Sequence, residues 1–159
     1  DVHTRRARDV HRAIAVTGVG SLAEAARRGL DNVAFVDPVP KREVPSWLVR
    51  ADICILPYQD RELFAGALPN KIFDYLGAAR PIIASAPRGE VTAVVEAADC
   101  GLATPAEDGE ALAQAIRTLA ADPERRRTLG ENGRRYALDH YDRRALAARF
   151  VATVESLAR

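Results

Sequence analysis

The residues most able to do chemistry in this chain stand together at Asn70, Lys71 and Asp74, inside the stretch LPNKIFDYLGAARPIIAS from Leu68 to Ser85. Pro69 fits the first turn of a helix, and the run Pro81–Ser85 that follows has the composition of a buried strand. A helix that precedes a parallel strand turns its amino end toward the carboxyl edge of the sheet. There its backbone N–H groups and positive dipole end can receive a phosphate. Asn70, Lys71 and Asp74 then share one helical face, with Ile72, Phe73 and Leu76 turned elsewhere. Asn70 and Lys71 would meet a diphosphate, and a carboxylate one turn further in, Asp74, suits ribose hydroxyls. The competing reading of Lys71 is a surface ion pair with Asp74 at i, i+3.

A second motif is Gly18-Val19-Gly20-Ser21-Leu22-Ala23, a G-x-G-x-x-A string after one apolar run, with Asp37 near the end of the next. That is the fingerprint of a dinucleotide-binding turn, with the acidic residue on the adenosine ribose, and it makes an NAD(P)-binding oxidoreductase domain the alternative enzyme class. A third reading is a non-catalytic domain that binds a nucleotide without turnover. Tyr58, just after Leu56-Pro57, stands where a strand's carboxyl end would border a ligand. Trp47, a lone aromatic on an amphipathic stretch, suits packing better than base stacking. His3, His11 and His140 have no mutual spacing that would make a metal site, and none is expected.

Elements that position these residues alternate along the chain. Strands are expected at Ala13–Val16, Asn32–Val36, Asp52–Leu56, Pro81–Ser85 and Gly101–Thr104, with helices at Ser21–Arg28, Arg42–Arg50, Pro69–Ala79, Gly89–Ala98 and Gly109–Ala121. Strand and helix in alternation imply an α/β fold, a Rossmann-like parallel sheet with flanking helices. After Asp122-Pro123 two helices are expected, Glu124–His140 and Asp142–Ala158, the first loosened by Gly130 and Gly133. The expected organisation is a nucleotide-binding unit over 1–122 and two terminal helices over 123–159.

Composition narrows the function classes. A chain of 159 residues, 48% hydrophobic and 28% charged, is enough for one soluble domain with a core. A net charge of +1 removes the global argument for a nucleic-acid partner. Arginines cluster at 5–12, 125–127 and 134–135, but acidic neighbours make a solvated helix face the expectation. Cys54 and Cys100 lack metal or redox spacing and read as reduced, partly buried thiols. No run approaches a membrane span or a signal peptide, so a cytoplasmic chain is expected, with a place at the inner face of the membrane as the variant. Asp1 as the first residue and the lack of any methionine lead to the expectation of a fragment.

LPNKIFDYLGAARPIIAS resembles the donor-site signature of retaining glycosyltransferase family 4, whose fold is GT-B. LDNVAFVDPVPKREVPSWLVRADICILPY upstream and the run GEVTAVVEAADCGLATP onward into the terminal helices resemble the same family, so the likeness covers about Val16 to Ala158. It implies the carboxyl-terminal, donor-binding half of an enzyme that transfers sugar from a nucleotide-diphosphate sugar of UDP or GDP type to a glycan or lipid-linked acceptor. The anomeric configuration would be retained and no metal would be obligatory. By resemblance Asp74 holds the ribose, the loop Val39, Pro40 and Lys41 approaches the nucleobase, and Pro69, Asn70 and Lys71 frame the diphosphate. Lys71 is then the catalytic residue, neutralising the leaving phosphates. Gly18 and Gly20 stand where such enzymes often carry Gly-x-Gly. Gly66 occupies the place of an acidic residue that in many relatives contacts the donor sugar, and Glu62 or Asp60 of the same loop are its candidate substitutes. The basic pair that usually meets the diphosphate precedes Ala13–Val16, in a region absent or altered here. An acceptor-binding amino-terminal domain is the implied partner, toward which Tyr141 and the last helix would pack.

Overall fold

The computed structural model describes residues 38–157, the strand residues 14–16, and residues 29 and 33. The expected strand Asn32–Val36, the helix Ser21–Arg28 and the Gly18–Ala23 string lie outside the described residues, apart from Val33. Among the described residues four parallel strands form one sheet in the order β1 (Ile14–Val16), β2 (Ile53–Pro57), β3 (Ile82–Ser85), β4 (Gly101–Thr104). The register runs Ile14 to Ile53, Ile55 to Ile83 and Ala84 to Ala103. The helices are α1 (Val44–Leu48), α2 (Glu62–Ala65), α3 (Asn70–Gly77), α4 (Glu90–Ala97), α5 (Gly109–Ala121), α6 (Pro123–Tyr141) and α7 (Arg143–Leu157).

The two central strands are apolar on both faces because helices cover both. Cys54, Leu56, Ile82 and Ala84 point to the side of α1, α3 and α4, where they pack with Ile72, Tyr75, Leu76, Val91 and Val95. Ile53, Ile55 and Ile83 point the other way, onto Ala115 and Leu119 of α5 and Leu129 of α6. This period of two, buried on each face, is what a doubly covered parallel sheet requires. Each buried Ile or Leu contributes roughly 1.5–3 kcal/mol.

Local chemistry sets the element ends. Arg42–Arg50 is not one helix: Pro45, without an N–H, stands in the first turn of α1, and Lys41–Glu43 form a 3₁₀ turn before it. Pro69 is the N-cap of α3 in extended backbone, one position earlier than a first-turn proline. Helix α3 ends with Ala79 in the left-handed region (φ 53). The Arg80 N–H returns to Tyr75 O and the Ala79 N–H to Leu76 O, a Schellman closure. Helix α4 closes the same way around Asp99 (φ 42), with the Cys100 N–H on Val95 O.

Gly130 and Gly133 do not loosen α6; they let it approach. A Cβ on Gly130 would stand 2.2 Å from Ala79 O, and one on Gly133 would stand 2.9 Å from both the Cys100 Cβ and a Leu76 methyl. The Asn132 amide donates to Asp99 O and to its carboxylate, both at 3.1 Å. Arg126 is not on a solvated face: it caps α5 by donating to Leu119 O (2.6 Å) and Ala120 O (2.9 Å), and it pairs with Asp52 at 3.6 Å. Arg127 does follow the expectation, exposed between Glu124 and Glu131.

Candidate donor site

Helix α3 runs antiparallel to the strands it joins, so its amino end opens at their carboxyl edge. Among the described residues no side chain caps it, and the Ile72 N–H closes on Pro69 O at 3.1 Å. The first-turn N–H groups point along the helix axis toward that edge, with the positive end of the helix dipole behind them. Asn70 and Asp74 are exposed on this end and Lys71 is half-buried, while Ile72, Tyr75 and Leu76 are buried beneath. The ion pairs among the described residues do not include one between Lys71 and Asp74.

The same edge gathers the other candidates. Tyr58 leaves β2 with its N–H on Ser85 O at 2.8 Å, and its ring stacks on Phe64 at 4.9 Å between centroids. Burial lifts its phenol above the ordinary value. Glu62 opens α2 and Gly66 closes it, both exposed. A Cβ on Gly66 would meet nothing within 4 Å, so the place where the resemblance expects a carboxylate is open space. Val39 (half-buried), Pro40 and Lys41 (both exposed) lead into α1, which touches α3. Gly18 and Gly20 lie outside the described residues.

Several contacts at this edge carry no strong sequence signal. Gly89 approaches so closely that a Cβ would stand 2.0 Å from Ala65 O, which locks the α2 loop onto the start of α4. The Thr92 hydroxyl donates to Gly89 O and accepts from its N–H, both at 3.0 Å, closing that start. The Asp60 N–H donates to the Glu107 carboxylate at 3.2 Å, tying the loop after β2 to the loop after β4. The Ser85 hydroxyl donates to Pro105 O at 3.2 Å. Phe73, next to Asp74, packs edge-on against Tyr141 at 4.7 Å, and Tyr136 lies against Tyr141 at 5.9 Å. Burial first, then Tyr136 and Glu90, push the Tyr141 phenol up. The far end of α6 thus braces the helix that carries the candidate ribose carboxylate.

Comparison with known proteins bears on the whole arrangement. Residues 2–122 match the family described as Glycosyl transferases group 1. The chain is 28% identical over 145 residues to the GDP-mannose-dependent alpha-(1-6)-phosphatidylinositol monomannoside mannosyltransferase of Mycolicibacterium smegmatis, covering 86% of this chain and 38% of that one. It is 32% identical over 111 residues to the D-inositol 3-phosphate glycosyltransferase of Kribbella flavida, covering 69% and 25%. Sucrose-phosphate synthase from Thermosynechococcus elongatus has the same fold over 98% of this chain and 41% of its own (TM-score 0.76, 22% identity). So does HepE of Anabaena, solved in complex with UDP-glucose, over 97% and 44% (TM-score 0.71, 20% identity). The chain spans less than half the length of each. Its architecture is the Rossmann-like carboxyl-terminal half of a GT-B fold. On the match over residues 2–122, the chain belongs to the group 1 glycosyltransferases.

Proposed function

We propose that this chain is the donor-binding half of a retaining glycosyltransferase that uses a nucleotide-diphosphate sugar of UDP or GDP type. The observation that carries the reading is the amino end of α3: an uncapped helix start at the carboxyl edge of a parallel sheet, with Lys71 beside it and an exposed Asp74 one turn in. The amides at Asn70 and Lys71 receive the diphosphate. Asp74 accepts from the ribose hydroxyls, and the Val39–Lys41 loop lies against the base. Tyr58 and the α2 loop border the sugar, with Glu62 as the nearest carboxylate in sequence to the open place at Gly66.

In the reaction the bond from the anomeric carbon to the diphosphate oxygen breaks, and negative charge grows on the leaving phosphates. Fixed positive charge from Lys71 and the helix dipole stabilises that charge without reorganisation. The acceptor, a glycan or lipid-linked hydroxyl, is held by an amino-terminal domain across the cleft. Supporting this division, Leu146, Phe150, Val154 and Leu157 of α7 recur at helical spacing and are all exposed, an apolar stripe that such a domain would cover. Residues 1–122 then form the nucleotide-binding unit, and 123–159 brace it and reach toward the partner. No helix among the described residues is long and apolar enough to cross a membrane, and a place at the inner membrane face would come through the partner domain.

Calorimetric titration of the chain with UDP, GDP, ADP and NAD side by side tests the reading. Preference for UDP or GDP supports it and names the base. Preference for NAD transfers the role to Gly18, Gly20 and Asp37, and no binding to any of the four removes the donor-site assignment.

A further inference from the structure

At the opposite edge of the sheet from the donor site, a recess of about 300 Å³ lies between the amino ends of β2 and β3 and the first turns of α6. Its charged lining is Asp52, Arg80, Arg126, Arg127 and Glu131, three guanidiniums against two carboxylates. Both carboxylates are engaged: Asp52 with Arg126 at 3.6 Å, and Glu131 with Arg127 at 2.9 Å. Arg126 is further fixed by the two α5 carbonyls it caps, and Arg127 also meets Glu124 on its solvent side. Arg80 differs from both. Its Nε is buried with no hydrogen-bond partner, and no ion pair among the described residues includes it.

A buried guanidinium nitrogen without an acceptor is costly, because it has lost water and gained nothing in return. Three guanidiniums face two carboxylates in the lining, with Glu124 on the solvent side of Arg127, and the donor left unsatisfied belongs to Arg80. Guanidinium forks are matched in shape and charge to an oxyanion. The Schellman turn at Ala79 holds the backbone of Arg80, and Gly130 seats α6 against that same turn, so the recess is built on fixed elements. We infer that this recess is a second, separate anion site, which takes a phosphate group on Arg80 with Arg126 and Arg127 at its rim.

Inorganic phosphate is the probe, titrated into the nitrogen-15-labelled chain at constant ionic strength with chloride as the balancing anion. The side-chain Nε–H signal of Arg80 and the amides of residues 79–82 and 124–127 are followed. The expected result is a saturable shift at these positions, about tenfold weaker in Arg80→Gln. Glu131→Gln, an exposed change on α6 that releases Arg127 and adds net positive charge, is expected to tighten binding several-fold. Linear, unsaturable shifts, saturation unaltered by Arg80→Gln, or shifts confined to residues 70–74 would overturn the assignment. Should Arg80→Gln fail to fold, an unchanged affinity in Glu131→Gln contradicts it alone.

Discussion

At the residue scale the account rests on two side chains of α3 with different tasks. Asp74 is exposed and packs on nothing in the core, so Asp74→Ala is expected to leave the unfolding midpoint in place. The same change should weaken binding of the preferred nucleoside diphosphate by about ten- to a hundredfold, since hydrogen bonds to a charged group contribute roughly 1.5–3 kcal/mol. Calorimetry on the variant beside a urea curve separates the two effects. In the proposed reaction Lys71 acts on charge that appears only as the bond breaks. In the full-length enzyme Lys71→Ala should lower kcat by about 10²–10³ while KM moves far less, by analogy with the loss of a single preorganised donor. A rise in KM alone would reduce Lys71 to a binding residue.

Element ends show where packing and backbone geometry oppose each other. Ala79 carries a side chain at φ 53, where an L-residue is strained by roughly 1–2 kcal/mol. Ala79→Gly relieves that strain and gives back part of it as unfolded-state entropy, so a net gain of about 0.5 kcal/mol in urea unfolding is expected. Gly130→Ala runs the other way. A methyl there drives into the Ala79 carbonyl, and the loss should be about 1–3 kcal/mol despite alanine's better helix propensity. These same positions mark the limit of what the sequence discloses. Apolar runs between Gly, Pro and Asp located β2, β3 and β4 to within a residue, and the boundaries of α5 were legible as they stand. Gly130 and Gly133 read as loosening the helix because contacts to residues distant in sequence, Ala79 for the first and Cys100 and Leu76 for the second, leave no local pattern. The short α2 was read as loop, and Arg126 as solvated, for a related reason: four residues hold no periodicity, and one arginine in a run of three gives no hint which will turn inward.

Over the whole molecule, the two cysteines link the core to pH. Cys54 and Cys100 belong to one buried cluster, and burial pushes both thiols up to about 12 from an ordinary value near 9. The unfolded chain loses these protons near pH 9 while the folded chain keeps them. Their contribution is thus fully present below pH 9 and is lost as pH rises from there toward 12. Urea midpoints from pH 8 to 10.5 should fall more steeply for the wild-type chain than for a Cys54→Ala, Cys100→Ala variant, and parallel slopes would contradict the burial argument. The place of the α3 amino end was legible at this scale as well: an α/β order and one proline-led helix pointed to the carboxyl edge before any contact was visible. The loops that close that edge, through Gly89 on Ala65 and the Asp60 N–H on Glu107, depend on neighbours distant in sequence and were not.

The central claim is that a nucleoside diphosphate sits on the amino end of α3. The structure of this chain bound to whichever of UDP or GDP it prefers tests that most directly. The account predicts diphosphate oxygens within hydrogen-bonding distance of the Asn70 and Lys71 amides and ribose hydroxyls on the Asp74 carboxylate. A ribose held by Asp37 with its phosphates on Gly18 and Gly20, or a nucleotide that leaves α3 untouched, would contradict it.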